Sequence, residues 1–450
     1  MTRRIVYIAL VGLIALLVSG SNLCSKDRTS AKSDQQTTGN PVVSEERHNQ
    51  GETKMTVGGV ENGSREEPEQ PSSVDDRVVR GNTEFGFKLL AELRKGADEE
   101  NLFISPLSIS LALAMTYNGA SGETAEAMAR ALGFEGREIA ELNREMRDLT
   151  MSLVRADSSV EFTIANSLWG REGFSFADTF LEQSRLFFDA EVTTLDFDAP
   201  DSPDRINLWV SSATRGKIKG IVGQIPPEIV LYLINAIYYK GQWQFEFDPA
   251  RTNDRRFHLP GGEEQDVPMM ERWGRYRYAE TPDRQAVRLP YGEGRFAMYV
   301  FLPSPSSDLD DLLSKLDGEM WTQWMSAFEP RKGEVLLPRF KMEYETLLNS
   351  ALKTIGMGVA FAPGVADFSQ MTSGPAELFI SQVKHKAVVD VNEEGTEAAA
   401  VTSVGIGATS VQPEEERFRF VADRPFFFVI RDDLTGSVLF MGVVNDPISQ

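Results

Sequence analysis

The stretch Val391-Asn392-Glu393-Glu394-Gly395-Thr396-Glu397-Ala398-Ala399-Ala400-Val401-Thr402, with the residues after it up to Ser410, decides how the chain folds. Alone, Thr396-Glu397-Ala398-Ala399-Ala400 reads as a short surface helix, because Ala is the best helix former. Its context points the other way. Gly395 precedes the run, and the β-branched residues of Val401-Thr402-Ser403-Val404-Gly405-Ile406 follow it and favour strand. At period two, Thr396, Ala398, Ala400, Thr402, Val404 and Ile406 share one face and none is charged. No proline occurs between Glu393 and Gln412, so every backbone N–H is available to a ladder. The segment can therefore be a loop in one state and a central strand in another.

Near the C-terminus stands Phe420-Val421-Ala422-Asp423-Arg424-Pro425-Phe426-Phe427-Phe428-Val429-Ile430. Together the two stretches resemble the hinge and the C-terminal signature of the serpins, the serine-protease-inhibitor fold. The resemblance extends over nearly all of residues 79–450. It takes in Asn101-Leu102-Phe103-Ile104-Ser105-Pro106-Leu107-Ser108-Ile109, where Ser105 is a natural N-cap and Pro106 suits the first helical position. Asn118-Gly119-Ala120 and Gly122-Glu123-Thr124 continue it, as do Val267-Pro268-Met269-Met270, Leu289-Pro290-Tyr291 and Leu337-Pro338-Arg339-Phe340. Leu233-Ile234-Asn235-Ala236-Ile237-Tyr238-Tyr239-Lys240-Gly241-Gln242-Trp243 is nearly continuous in apolar residues, which suits a strand covered on both faces. Ile164 to Trp169 reads as a further strand. Helices are expected from Val79 through Phe85, Leu89 and Leu93, over 138–153, and from Leu347 to Phe361. Strands and helices are mixed rather than alternating, so the fold class is α+β. The resemblance implies a large central mixed sheet, smaller sheets, eight or nine helices and an exposed reactive loop.

The 450-residue chain has a formal net charge of −21 and a pI near 4.7, which argues against a nucleic-acid partner. Arg3 and Arg4 precede a fourteen-residue apolar run from Ile5 to Val18, and Ser19, Gly20 and Ser21 are small. Residues 1–21 thus read as an export signal, and the run is short for a membrane span, which takes about 17–25 residues. A secreted protein is expected. Cys24, the only cysteine, opens a second reading as a lipid-anchored protein with a membrane tether, although Ser21-Asn22-Leu23 departs from the small residues usual before a lipidated cysteine. Residues 22–78 are polar and hold no aromatic side chain, the composition of a disordered linker ahead of a domain at 79–450.

Enzyme chemistry finds no support in the sequence. The three histidines, His48, His258 and His385, are scattered, and there is no His-Glu-x-x-His, no phosphate-cradling Gly-Lys-Ser/Thr loop and no Gly-x-Ser-x-Gly elbow. Asp196, Asp198, Asp201 and Asp204 lack the glycine and terminal glutamate of a calcium loop. No metal or other cofactor is expected. The helix over 138–153 alternates charge and has no basic cluster, so a polyanion cofactor is not expected either.

The serpin resemblance implies a loop that a target serine protease attacks as substrate. The protease is caught as an acyl-enzyme when the loop enters the large sheet as a new strand. Glu393 to Thr409 is seventeen residues, the spacing that in inhibitory serpins puts the reactive bond at Thr409-Ser410, within one or two residues. Residues 396–409 would span roughly 45 Å as a strand. Ser105, Ser108, Asn235 and His385 match the family's gate at the centre of the sheet, with hydrogen bonds expected to hold its strands closed. Trp243 would sit under the start of the loop, and Arg339 and Glu393 match an ion pair at the hinge. Ile406-Gly407-Ala408-Thr409 is small and apolar, which favours elastase- or subtilisin-like proteases over trypsin-like ones. Papain-like cysteine proteases, or a non-inhibitory binding or chaperone-like role, are the alternatives. A monomer is expected.

Overall fold

The computed structural model describes residues 5–16, 75–97, 99–396 and 417–449. Cys24, Glu397 to Thr402 and the Thr409-Ser410 bond lie outside them. Two sheets carry the architecture. The large one is built from β1 (Ile5–Leu16), β3 (Val160–Arg171), β4 (Ala190–Leu195), β5 (Ile229–Gln242), β11 (Phe340–Leu347), β12 (Glu377–Val391) and the two-residue β13 (Gly395–Thr396). Its order is β11-β12-β1-β5-β3-β4, with β13 paired to β5. It is mixed: β3 and β13 run antiparallel to β5, whereas β1 is parallel to both β5 and β12.

The other ladder holds β2 (Leu102–Ile104), β6 (Asn253–His258), β7 (Glu264–Thr281), β8 (Arg284–Pro290), β9 (Phe296–Pro303), β10 (Glu329–Pro338), β14 (Phe418–Val421), β15 (Phe426–Asp432) and β16 (Val438–Val444). Its order is β14-β10-β7-β8-β9-β15-β16-β2, with β6 on β7. The expected smaller sheets are the two ends of this ladder, joined through the eighteen-residue β7. The Phe426-Phe427-Phe428-Val429-Ile430 run forms β15 between β9 and β16, with its backbone paired on both edges and its side chains buried in the apolar core.

Nine α-helices occur among the described residues: α1 (Asp76–Arg94), α2 (Pro106–Tyr117), α3 (Gly122–Leu132), α4 (Ile139–Val154), α5 (Asp178–Phe188), α6 (Ser202–Ala213), α7 (Leu309–Ser314), α8 (Gly318–Ser326) and α9 (Asn349–Leu352). Helix α1 starts three residues before Val79 because Asp75 caps it, its carboxylate accepting from the N–H of Arg77 at 2.7 Å. Helix α2 begins as expected, with Ser105 as N-cap and Pro106 at the first position, and is buried from Pro106 to Thr116. The single helix expected over 347–361 is broken: α9 gives way to a π turn over Lys353–Met357 and a 3₁₀ turn over Gly358–Phe361. Gly356 causes the break, with φ at 111°, where only glycine rests without strain.

One apolar core fills the space between the sheets and around α2, with Val230, Leu231, Leu233, Ile237 and Tyr239 as β5's contribution. A second lies on the opposite face of the large sheet, where Ile234, Ala236 and Tyr238 pack with Ile206 and Val210 of α6. Strand β5 is therefore buried on both faces, as its continuous apolar sequence predicts.

The N-terminal apolar run has a place in the large sheet. Twelve of its fourteen apolar residues form β1, the central strand of the large sheet, with Gly12 opposite both Asn235 and His385. Ile5, Val6, Ile8, Val11 and Ile14 are good strand formers, and the place between β5 and β12 offers two open edges to satisfy the segment's backbone groups.

Candidate functional site

The site is built where β12 ends and the chain turns back along β5. Val391 closes β12, and Asn392 makes the turn: its carbonyl accepts from the N–H of Gly395 at 3.3 Å and its side-chain oxygen from the N–H of Glu394 at 3.0 Å. The chain then runs antiparallel to β5, with Gly395 opposite Gln242 and Thr396 opposite Gly241. Gly395 has φ at 144°, and an added Cβ would press on the Gly241 carbonyl and lie 2.7 Å from the Cα of Gln242. Only glycine fits this close approach of two backbones.

Trp243 holds the turn from below. Its indole N–H donates to the Asn392 carbonyl at 2.9 Å, and its backbone N–H donates to Glu394 O at 2.9 Å. The ring stacks on Tyr291 with centroids 4.4 Å apart and planes 12° apart. The Tyr291 hydroxyl is hydrogen-bonded to Oγ1 of Thr396 at 2.8 Å, and both residues are fully buried. Burial pushes the Tyr291 phenol well above its usual range, so it stays neutral. Thr396 is thus seated in an aromatic pocket that has room for a small uncharged side chain.

Glu393 anchors the other side of the turn. Its Oε1 accepts from Nη2 of Arg339 at 2.5 Å and from the Thr252 hydroxyl at 2.6 Å. Burial opposes its ionisation, but the Arg339 guanidinium and the Thr252 hydroxyl outweigh that and hold the carboxyl below its ordinary value. The Arg339–Glu393 pair expected from sequence is present. Thr252 and Tyr291 were not singled out there, and no periodicity marks them, since each reaches the hinge across more than a hundred residues.

Farther down the large sheet, Ser105, Ser108, Asn235 and His385 are all fully buried. The Ser108 hydroxyl donates to Oδ1 of Asn235 at 2.5 Å, and the Asn235 amide donates to Oδ1 of Asn166 at 2.6 Å. The Ser105 N–H lies 3.4 Å from Nε2 of His385. The Ser108 N–H donates to Oγ of Ser105 at 3.2 Å, so the first turn of α2 links His385 of β12 to Asn235 of β5. Within the sheet itself strand β1 lies between Asn235 and His385. Asn166 completes this network and was missed; an asparagine inside a predicted strand, where it is disfavoured, was the available signal. Replacing Asn235 with alanine leaves the Ser108 hydroxyl and the Asn166 carbonyl buried without it. It is expected to lower stability by about 1–3 kcal/mol, read as an earlier midpoint in urea.

The remaining histidine among the described residues, His258, is exposed at the end of β6, with Nδ1 3.0 Å from the Asp423 carbonyl oxygen. Asp198 of the acidic turn pairs with Arg171 at 2.9 Å. Among the described residues no helix is long and apolar enough to cross a membrane.

Comparison with known proteins agrees with this geometry. The model of the family described as serpin (serine protease inhibitor) matches residues 80–447. An uncharacterized serpin-like protein of Methanosarcina acetivorans is 35% identical over 381 residues, covering 83% of this chain and 88% of its own. The leukocyte elastase inhibitor of Xenopus laevis is 37% identical over 376 residues, covering 81% and 98%. The crystal structure of tengpin, a thermophilic serpin in its native state, superposes with a TM-score of 0.75 at 32% identity, covering 84% of this chain and 97% of that one. With its hinge turned onto the edge of β5 and the family's sequence over most of its length, the chain belongs to the serpins, a family of serine protease inhibitors.

Proposed function

We propose that the protein is a suicide-substrate inhibitor of serine endopeptidases, which it traps as acyl-enzymes by inserting residues 396–409 between β5 and β12. One observation carries this reading: β13 already pairs antiparallel with β5 in a fixed register. Continued at one residue per step, that register puts Glu397 opposite Lys240, Ala398 opposite Tyr239, Ala400 opposite Ile237, Thr402 opposite Asn235 and Ala408 opposite Ile229. Strand β5 begins at Ile229, so the template ends where the resemblance sets the reactive bond, Thr409-Ser410. Partners directly opposite share a face. The uncharged residues would therefore enter the core that holds Tyr239, Ile237, Leu233 and Leu231, and Thr402 would bring its hydroxyl level with Asn235 and His385. Glu397, the one charge, falls beside Lys240.

The chemistry belongs to the protease. Its serine oxygen bonds to the Thr409 carbonyl carbon, the Thr409–Ser410 C–N bond breaks, and the amine of Ser410 leaves with a proton. What this chain contributes is the speed with which the freed strand zips into the sheet, drawing the ester away before water can attack it. Ladder bonds on both edges and apolar burial of the loop drive the insertion.

That β1 lies between β5 and β12 supports reading this place as one for a strand. In our reading residues 1–21 are removed on export, which vacates that place for the loop; the released protein then acts outside the cell as a monomer, or at its surface if Cys24 is lipidated. N-terminal sequencing of the secreted form checks the cleavage. The small residues before the reactive bond make elastase- and subtilisin-like enzymes the preferred targets. Incubating the purified protein with pancreatic elastase or subtilisin is expected to give a band at the summed mass that survives boiling in detergent. Cleavage of the loop without that band, and without a rise in the melting temperature of the cleaved product, would move the assignment to a non-inhibitory serpin.

A further inference from the structure

The edge of β5 that the reactive loop would use is taken up almost end to end, and by two different segments. Strand β1 pairs with it from Tyr7, opposite Ile229, to Leu16, opposite Tyr239. The hinge strand β13 takes the next places, with Thr396 opposite Gly241 and Gly395 opposite Gln242. Lys240 alone lies between the two pairings. On its other side β1 pairs with β12 from Ile5, opposite Glu377, to Leu13, opposite Lys386. The loop needs the same backbone groups. Continued from β13, its register brings Ala398 to Tyr239, Ala400 to Ile237, Thr402 to Asn235 and Ala408 to Ile229. Those β5 residues are already partnered by Leu16, Ile14, Gly12 and Tyr7. With β1 in place, the loop can therefore enter as far as Thr396 and no farther.

The occupied place also removes the driving force. Entry of a strand into an open place gains ladder bonds on two edges. Entry into a filled one exchanges one uncharged strand for another. Ile5–Leu16 holds neither a charge nor a proline, and Ile5, Val6, Ile8, Val11 and Ile14 are β-branched, so nothing in it favours expulsion. A parallel ladder is only slightly weaker per residue than the antiparallel one the loop would build on β5, and the exchange gains little. Because β1 belongs to the same chain, it competes with the loop as an intramolecular ligand and not at the concentration of a free peptide.

We infer that residues 5–16 are an autoinhibitory strand, which keeps the full-length chain from trapping proteases until residues 1–21 are removed. The inference rests on the trapping function and the processing proposed above, and adds what the segment does before it is cut off. A protease that attacks the full-length chain cleaves the loop as an ordinary substrate, because the ester is hydrolysed while the loop waits for a place in the sheet. The same strand pairs the edges of β5 and β12 that a second molecule's loop would need, so the full-length chain also resists loop-sheet polymerisation on warming. Inhibition is thereby confined to the compartment in which the segment has been lost.

The test compares full-length chains made by cell-free synthesis, wild type and Gly12→Pro. Gly12 stands in the middle of β1, opposite both Asn235 and His385. Proline there breaks a strand paired on both edges and leaves the loop, β5 and β12 unchanged in sequence. With pancreatic elastase or subtilisin, the full-length wild type is expected to be cut in the loop with little detergent-resistant complex, and Gly12→Pro to give about tenfold more of it. Ile14→Val, which keeps a good strand former, is expected to behave as wild type. A full-length wild type that traps as well as the secreted form overturns the inference. So does a Gly12→Pro chain that traps no better than the full-length wild type while the secreted form traps. If the secreted form itself traps neither enzyme, the trapping function fails separately, and hydrogen exchange then tests the strand alone. Amides of residues 5–16 are expected to be protected for hours in the full-length wild type and to exchange within seconds in Gly12→Pro; exchange within seconds in both overturns the inference.

Discussion

Thr396→Arg is expected to turn the protein from an inhibitor into a substrate, with the loop cut normally and the detergent-resistant complex falling below a tenth of its wild-type yield. The reasoning starts from the pocket. Thr396 is fully buried with its hydroxyl 2.8 Å from that of Tyr291, and Tyr291 lies flat against Trp243. Among the described residues the side chains against Thr396 are aromatic, and the nearby Glu393 is engaged with Arg339 and Thr252 on the other side of the turn. The resting protein can expel residue 396 by undoing two ladder pairs. The inserted state cannot, because the loop must pass through this position to reach the rest of β5. Desolvating the charge there costs several kcal/mol, and each 1.4 kcal/mol slows insertion about tenfold relative to hydrolysis of the ester. The outcome is read from the number of inhibitor molecules consumed per protease trapped. Thr396→Val, which keeps the shape and loses one hydrogen bond, is expected to keep most of the trapping. If the arginine variant traps as efficiently as wild type, the pairing at Gly395–Thr396 is not the first step of insertion.

Parts of this site could be read from sequence because their determinants are local. Ser105-Pro106 announces the start of α2 by its capping chemistry, and the run before Trp243 announces a strand covered on both faces. The alternation from Thr396 to Ile406 separates an uncharged face from one carrying Glu397. The residues that complete the hinge were not legible for a physical reason. Tyr291 and Thr252 act through contacts 105 and 141 residues away in sequence, and nothing about Leu289-Pro290-Tyr291 marks a hydroxyl aimed at the loop. The place of β1 was hidden in the same way. Its apolar length reads as an export signal, while its neighbours in the sheet, Asn235 and His385, are set by edges that exist only once β5 and β12 are assembled. Gly356 was visible but its consequence was not, since an isolated glycine in a helical pattern is usually tolerated.

The second large effect is expected at Glu393. Glu393→Lys should let the protein form loop-sheet polymers on warming, with the onset lowered by roughly 5 °C, seen as a ladder on native gels or as early elution in size exclusion. The carboxylate is buried and accepts from Arg339 at 2.5 Å and Thr252 at 2.6 Å, while its backbone carbonyl accepts from the N–H of Phe247 at 2.9 Å. A lysine there meets the Arg339 guanidinium and leaves the Thr252 hydroxyl facing a cation. Because the Arg339 side chain is 47% exposed and rehydrates, the loss is discounted to about 2 kcal/mol from the 3–5 expected for a fully buried pair. That is enough to free the turn at Asn392–Glu394 and expose the edges of β5 and β12, which then accept the loop of a second molecule. Acid should mimic the substitution in the wild type. The folded carboxyl titrates below its ordinary value of 4.5, so its contribution is complete above that pH and is lost as the pH falls through the lowered value. Polymerisation of the wild type is therefore expected to set in only as the pH falls below the ordinary carboxylate value, whereas Glu393→Gln, which cannot ionise, should polymerise on warming with no acid-dependent onset there. A Glu393→Lys protein that stays monomeric at temperatures where the wild type does would mean that the turn is held by Trp243 and the β13 pairing alone, with the Arg339 bridge a surface ornament.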